Sequence, residues 1–187
     1  MPALMLLSNY PQQKPRSNIK RAWGLSWALE KMNKFAIIRI RGKTGIRPDI
    51  KRTLDLLRLY NKHHCTIIEE SVPNIGMLKK IKDFVTWGEL NETTFKELLK
   101  KRGRLPGNKL LTEEYLKEKT KLQFDEFAKA FFSSQAQLNT IPGLRPFFRL
   151  KPPIGGFESP GIKKPYSMGG VLGYRGDNIN ILINKML

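Results

Sequence analysis

Four apolar residues, Phe35-Ala36-Ile37-Ile38, run into a short basic loop and then directly into a helical pattern. No other stretch restricts the fold as much. The apolar run reads as a β-strand. Asp49 to Tyr60 reads as a helix whose core face carries Ile50, Leu54 and Leu57 at i, i+4 and i+7. Between them lies Arg39-Ile40-Arg41-Gly42-Lys43-Thr44-Gly45-Ile46-Arg47-Pro48, a strand-to-helix loop. Its two glycines allow a turn and close approach of a partner. Pro48 suits the first helical position, where a missing N–H costs nothing. Cations beside the free N–H groups and positive dipole end of a helix suit phosphate.

Two functional readings compete for this loop. Gly42-Lys43-Thr44 copies the end of a P-loop, but that motif needs a glycine five residues before its second one. Ile37 stands there, inside the strand. The other reading is polyanion binding by unpaired cations, which positions a backbone without a pocket. A solvated turn is the bland alternative. Whole-chain charge decides: 34 Lys and Arg against 16 Asp and Glu leave +18. That excess calls for a polyanionic partner, nucleic acid before an anionic membrane. No apolar run approaches the roughly 20 residues needed to cross a bilayer, so no membrane partner is expected. The one cysteine, Cys65, excludes an internal disulfide and fits a reducing compartment.

The charge is uneven. Residues 34–62 hold nine cations and two acids, and residues 127–187 hold eight and two. Residues 89–126 hold nine cations against eight acids, and residues 63–88 hold three of each. The two basic regions are therefore expected to share one RNA-facing surface, with ordinary solvated helix between them.

Cys65 to Glu69 reads as a second strand, rich in β-branched residues. Ser71-Val72-Pro73 reads as a break, with Asn74 capping a helix from Ile75 to Lys82. Phe84 to Trp87 reads as a third strand. The result is a small α+β unit, β-α-β-α-β, with two helices on one face of a three-stranded sheet. Residues 91–132 read as helices, and the aromatics of Phe127, Phe131 and Phe132 as core. His63-His64-Cys65 are adjacent and cannot converge on one tetrahedral ion, so no metal is expected. From Ile141 onward, proline and glycine mix with cations and aromatics, which suits a chain ordered by threading over RNA. Asp177 is then expected to cap a last helix, Ile179 to Met186. Three parts follow: a basic leader over 1–33, a core domain over 34–88 and an extension over 89–187. In the leader, Trp23 and Trp27 fit an amphipathic helix over 22–31. No basic segment precedes the apolar Met1 to Leu7, so a secretory signal is not expected, and Met32 is an alternative start.

Phe35 to Gly42, Lys43 to Ile50 and Thr53 to Leu59, followed by Asn74-Ile75-Gly76-Met77-Leu78 and Val85-Thr86-Trp87-Gly88, form a combination with a precedent. It resembles the large-subunit ribosomal protein L thirty family. Ile141-Pro142-Gly143-Leu144-Arg145-Pro146, Gly155-Gly156-Phe157 and Gly169 to Gly176 are similar to its archaeal and eukaryotic branch, whose eukaryotic member is called L seven. The resemblance spans about residues 34–187. It implies a three-stranded antiparallel core related to the ferredoxin-like fold, with a helical and extended C-terminal extension. It also implies a place in the cytoplasmic ribosome's large subunit, bound to large-subunit rRNA near the five-S rRNA and beside other ribosomal proteins. It implies no catalysis, cofactor or small-molecule substrate.

The expected rRNA contacts from the first unit are Arg39, Arg41, Lys43, Thr44, Arg47, Lys51 and Arg52. A second basic loop offers Arg102, Arg104 and Lys109. The tail offers Arg145, Arg149, Lys151, Lys163, Lys164, Tyr166 and Arg175. The alternative function is an RNA-modifying or RNA-processing factor with a small α+β RNA-binding domain. A regulatory ferredoxin-like domain binding a small ligand is a third, and the +18 charge argues against it.

Overall fold

A computed structural model describes residues 33–159 and 161–187. The expectations for the leader fall outside that range.

The strand β1 (Lys34–Arg39) is the centre of the sheet. On either side lie β2 (His64–Glu69) and β3 (Val85–Glu89), both antiparallel to it, so that Ile37 faces Thr66 on one flank and Trp87 on the other. Helix α1 (Pro48–Leu56) links β1 to β2, and α2 (Val72–Ile81) links β2 to β3. Then follow α3 (Glu92–Arg102), α4 (Glu113–Thr120), α5 (Phe124–Phe132), β4 (Phe148–Arg149), β5 (Gly173–Tyr174) and α6 (Asn178–Met186). The expected α+β fold with its three-stranded antiparallel core is present. Two short strands extend it at the edges, giving the order β4-β2-β1-β3-β5, with β5 parallel to β3.

All six residues of β1 are buried. Side chains alternate between faces along a strand. Phe35 and Ile37 join Leu54, Leu57, Leu78, Ile81 and Val85 under α1 and α2. Ala36 and Ile38 join Phe95, Leu98, Phe127, Phe131 and Ile183 in a second cluster, built from α3, α5 and α6. An unbroken apolar run is what a strand covered on both faces requires. Phe95 and Phe131 stack with centroids 4.4 Å apart inside the second cluster. Truncating such a side chain costs about 3–5 kcal/mol.

Helix α2 starts earlier than expected. Ser71 is its cap, its Oγ accepting from the Asn74 N–H at 3.4 Å. Pro73 sits in the first turn, where no N–H is needed. The Asn74 side chain turns back instead and donates to the Glu69 carbonyl at 2.8 Å. Thr112 caps α4 as expected, accepting from the Tyr115 N–H.

The tail packs against the body. Phe148, Leu150, Val171 and Leu172 are buried. The Leu150 N–H donates to the His63 carbonyl, the Lys151 N–H to Met186 and the Arg175 N–H to Trp87, all between 2.9 and 3.0 Å. Gly88 makes the last of these approaches possible, because a Cβ there would lie 2.0 Å from the Gly176 carbonyl oxygen.

Candidate nucleic-acid interface

Arg39 ends β1 and governs the loop that follows. It is 2% exposed. Its guanidinium donates to the carbonyls of Arg41 at 2.9 Å, Gly42 at 2.8 Å, Leu59 at 2.6 Å and Tyr60 at 3.1 Å. Burial pulls this guanidinium below its ordinary pKa, and Asp55 pushes back. The expectation that Arg39 reaches RNA is therefore corrected: its N–H groups are spent on the backbone. It is a strut joining the β1–α1 loop to the turn after α1. With the loop so held and Gly45 turning at a φ of 68°, Lys43, Thr44, Arg47, Lys51 and Arg52 are exposed. The acid in the first turn of α1, Asp49, pairs with Lys80 of α2 at 3.7 Å, not with a loop cation.

Arg41 joins this loop to the tail. Its Nε donates to the Ile162 carbonyl at 3.3 Å and its Nη2 to Lys163 at 3.5 Å. Its guanidinium lies over the Phe84 ring, 5.9 Å from the centroid. The Phe84 carbonyl in turn accepts from the N–H groups of Ile40 and Arg41. Together they enclose a groove of about 580 Å³, lined also by Thr44, Gly45 and Lys62. Gly42 belongs to the same wall; a Cβ there would meet the Lys62 Cε at 3.0 Å, so its absence lets the lysine stem lie close. Among the described residues, no acidic residue lines the groove.

A second observation brings loop and tail together. His64 lies opposite Arg149 across the β2–β4 pair. Its ring stacks on Phe147 at 5.0 Å, and Tyr60 meets Phe147 edge-on at 5.8 Å. The His64 pKa is lowered to about 4, first by burial and then by Arg149, Lys43 and Arg39. Burial disfavours charging this ring, and the cations of loop and tail add to that cost. His63 stacks on Phe157, and burial pushes the Cys65 thiol up to about 12. These three neighbours serve packing.

Arg175 also departs from expectation. It is 4% exposed. It donates to Thr86 Oγ1 at 3.0 Å, Glu158 Oε1 at 2.8 Å and the Val171 carbonyl at 3.0 Å, with the Tyr166 ring 4.6 Å away. Arg175 therefore latches the tail to β3 from inside, and Tyr166 gives one side of its ring to that latch. Burial pushes the Glu158 carboxyl up, but its hydrogen bond and charge pairing with Arg175 hold it below the usual value. Arg102 donates to the Leu187 carbonyl at the end of α6. Arg104 donates to the Asn108 carbonyl at 3.1 Å and accepts from the Arg145 N–H through its own carbonyl. With exposed Lys109 on the same loop, these two form a second basic cluster. Lys151, Lys163 and Lys164 are exposed.

A family described as Ribosomal protein L30p/L7e matches residues 35–85, from β1 to the start of β3. A large ribosomal subunit protein uL30 from Methanopyrus kandleri is 49% identical over 149 residues, 79% of this chain and 100% of the relative. The chain belongs to the uL30 family. Relatives of the same name from Methanococcus maripaludis and Nanoarchaeum equitans are 46% and 48% identical over 153 residues. Each alignment covers 82% of this chain, with 99% and 98% of the relative. The resemblance read from the sequence is thereby borne out, including its archaeal character.

Three groove residues escaped the sequence reading: Lys62, Phe84 and Ile162. Two had a usable signal. Ile38 pairs with Cys65, and that register, continued, sets residue 41 opposite residue 62. Arg39 pairs with Val85, which sets residue 40 opposite Phe84. Ile162 had none, because nothing local in a proline- and glycine-rich segment shows where it will lie.

Proposed function

We propose that this protein is a structural constituent of the large ribosomal subunit, holding folded rRNA on a basic face shared by the 34–88 unit and the 89–187 extension. The observation that carries this is the bonding of Arg41 to the carbonyls of Ile162 and Lys163. It gathers cations more than 100 residues apart in sequence around one groove, with no acid in its lining among the described residues. Lys43, Arg47, Lys51 and Arg52 hold phosphates from the first unit. Arg149, Lys151, Lys163 and Lys164 hold others from the extension. Arg104, Lys109 and Arg145 form a second contact. Family membership supports a structural role and not an enzymatic one, and the relatives carry the name of a large-subunit protein. The ribosome is then its place in the cytoplasm, with other large-subunit proteins as neighbours. The resemblance supports a position near the five-S rRNA.

Sedimentation tests the reading. Large subunits spun through a high-salt cushion retain the protein in proportion to rRNA, with crosslinks from Lys43 and Lys163 to RNA. A processing enzyme that visits the particle washes off, and that result overturns the proposal.

A further inference from the structure

The groove between the β1–α1 loop and the tail has a composition that phosphate binding alone does not require. A duplex shows a protein its phosphates and sugars, with its bases stacked inside. Lysine and arginine on an open surface suffice for that. Here the cations Arg41, Lys62 and Lys163 line the groove together with Phe84 and Ile162. Phe84 is half-buried, and Ile162 is 39% exposed. The Arg41 guanidinium lies over the Phe84 ring, 5.9 Å from its centroid, and the two flat groups together make one wall of the groove. Gly42, Thr44 and Gly45 complete the lining. An apolar occupant would leave three cations without a counter-charge. A bare phosphate would leave the aromatic wall unused.

We propose that this groove takes one unpaired nucleotide, its base against the Phe84–Arg41 wall and its phosphate at Lys62 and Lys163. This rests on the rRNA-binding reading and adds the class of nucleotide: a bulged or looped one, not a paired one. Flat aromatic and guanidinium groups receive unstacked bases without regard to their identity. The groove therefore selects for an exposed base and not for a sequence.

The test uses the full chain and two RNA hairpins, identical except that one carries a single bulged 2-aminopurine. The bulged hairpin binds about tenfold more tightly, the scale of one base–aromatic stack, and 2-aminopurine fluorescence is quenched on binding. Phe84→Leu brings the preference below about twofold. Phe84→Trp restores it. Ile162→Ala, on the exposed tail, lowers the preference in the same direction without touching the core. Lys62→Glu with Lys163→Glu weakens both hairpins. Equal binding of the two hairpins by the wild type overturns the inference and leaves the basic face standing. Binding of neither hairpin overturns both. A glutamate-rich peptide that displaces the bulged hairpin from the groove, and binds the Phe84→Leu variant less well, assigns the groove to a protein partner and also overturns it.

Discussion

Residues 34–62 and residues 89–126 each carry nine lysines and arginines, yet the proposed rRNA contacts concentrate in the first. The difference lies in the acids, two in the first and eight in the second. In the helical layer, cations are answered close by: Lys96 by Asp125, Lys100 by Glu113, Lys101 by Glu97 and Lys119 by Glu118. In the first region, Asp49 is drawn off by Lys80 of α2, and Lys43, Arg47, Lys51, Arg52 and Lys62 face solvent. Exposed pairs contribute at most about 1 kcal/mol each. Their effect is to cancel the field over the helices, which leaves the loop and tail as the positive face. Counting cations does not separate the two regions; the local shortage of acids does.

The comparison sharpens when the basic region's own cations are divided into struts and contacts. The largest effect is expected from a strut. Arg39→Met strands four carbonyls that the guanidinium now satisfies, and should cost about 4 kcal/mol in urea unfolding. Arg39→Lys should recover little, because an ammonium cannot reproduce the planar fork. An unchanged midpoint would return Arg39 to the list of RNA contacts.

Next in size is the pH response of His64. Its folded pKa is about 4, below the ordinary 6.5. Below pH 6.5 the unfolded chain takes up a proton that the folded imidazole refuses. Stability should therefore fall as the pH drops from about 6.5 to about 4, by up to about 3 kcal/mol, and this group should add nothing further below that. Arg149, Lys43 and Arg39 are the charges facing it, so RNA phosphates at Lys43 and Arg149 should raise its pKa. An NMR titration with and without an rRNA fragment checks this. An unmoved His64 in the complex would remove Lys43 and Arg149 from the contact. The smallest effect belongs to the helical layer: Lys101→Ala, losing the pair with Glu97, should change stability by less than about 0.5 kcal/mol in the same urea assay. A loss as large as that of Arg39 would erase the distinction between the regions.

Much of this was legible from residue patterns. The apolar run at 35–38, the Leu54 and Leu57 stripe and the aromatics of α5 declared strand, helix and core by period and composition. The loop's basic character was equally plain. Which of its arginines would be buried was not. Arg39 differs from Arg41 by the acceptors it meets, and two of those belong to Leu59 and Tyr60, about 20 residues on. The tail was read correctly as irregular, but its buried residues Phe148, Leu150, Val171 and Leu172 follow no period among the prolines and glycines. The two-residue strands β4 and β5 are too short for alternation to show. Long-range partners, not local propensity, decided these features.

The most direct test is the salt dependence of binding to a large-subunit rRNA transcript. Replacing Lys43, Lys62, Arg149 and Lys163 together by Gln should reduce the steepness of log affinity against log salt by about 3, at roughly 0.7–0.9 per phosphate contact. Replacing Lys100, Lys101, Lys117 and Lys129 of the helical layer by Gln should leave the slope within about 0.5 of the wild type. Equal changes in the two variants, or a change only in the second, would contradict the account.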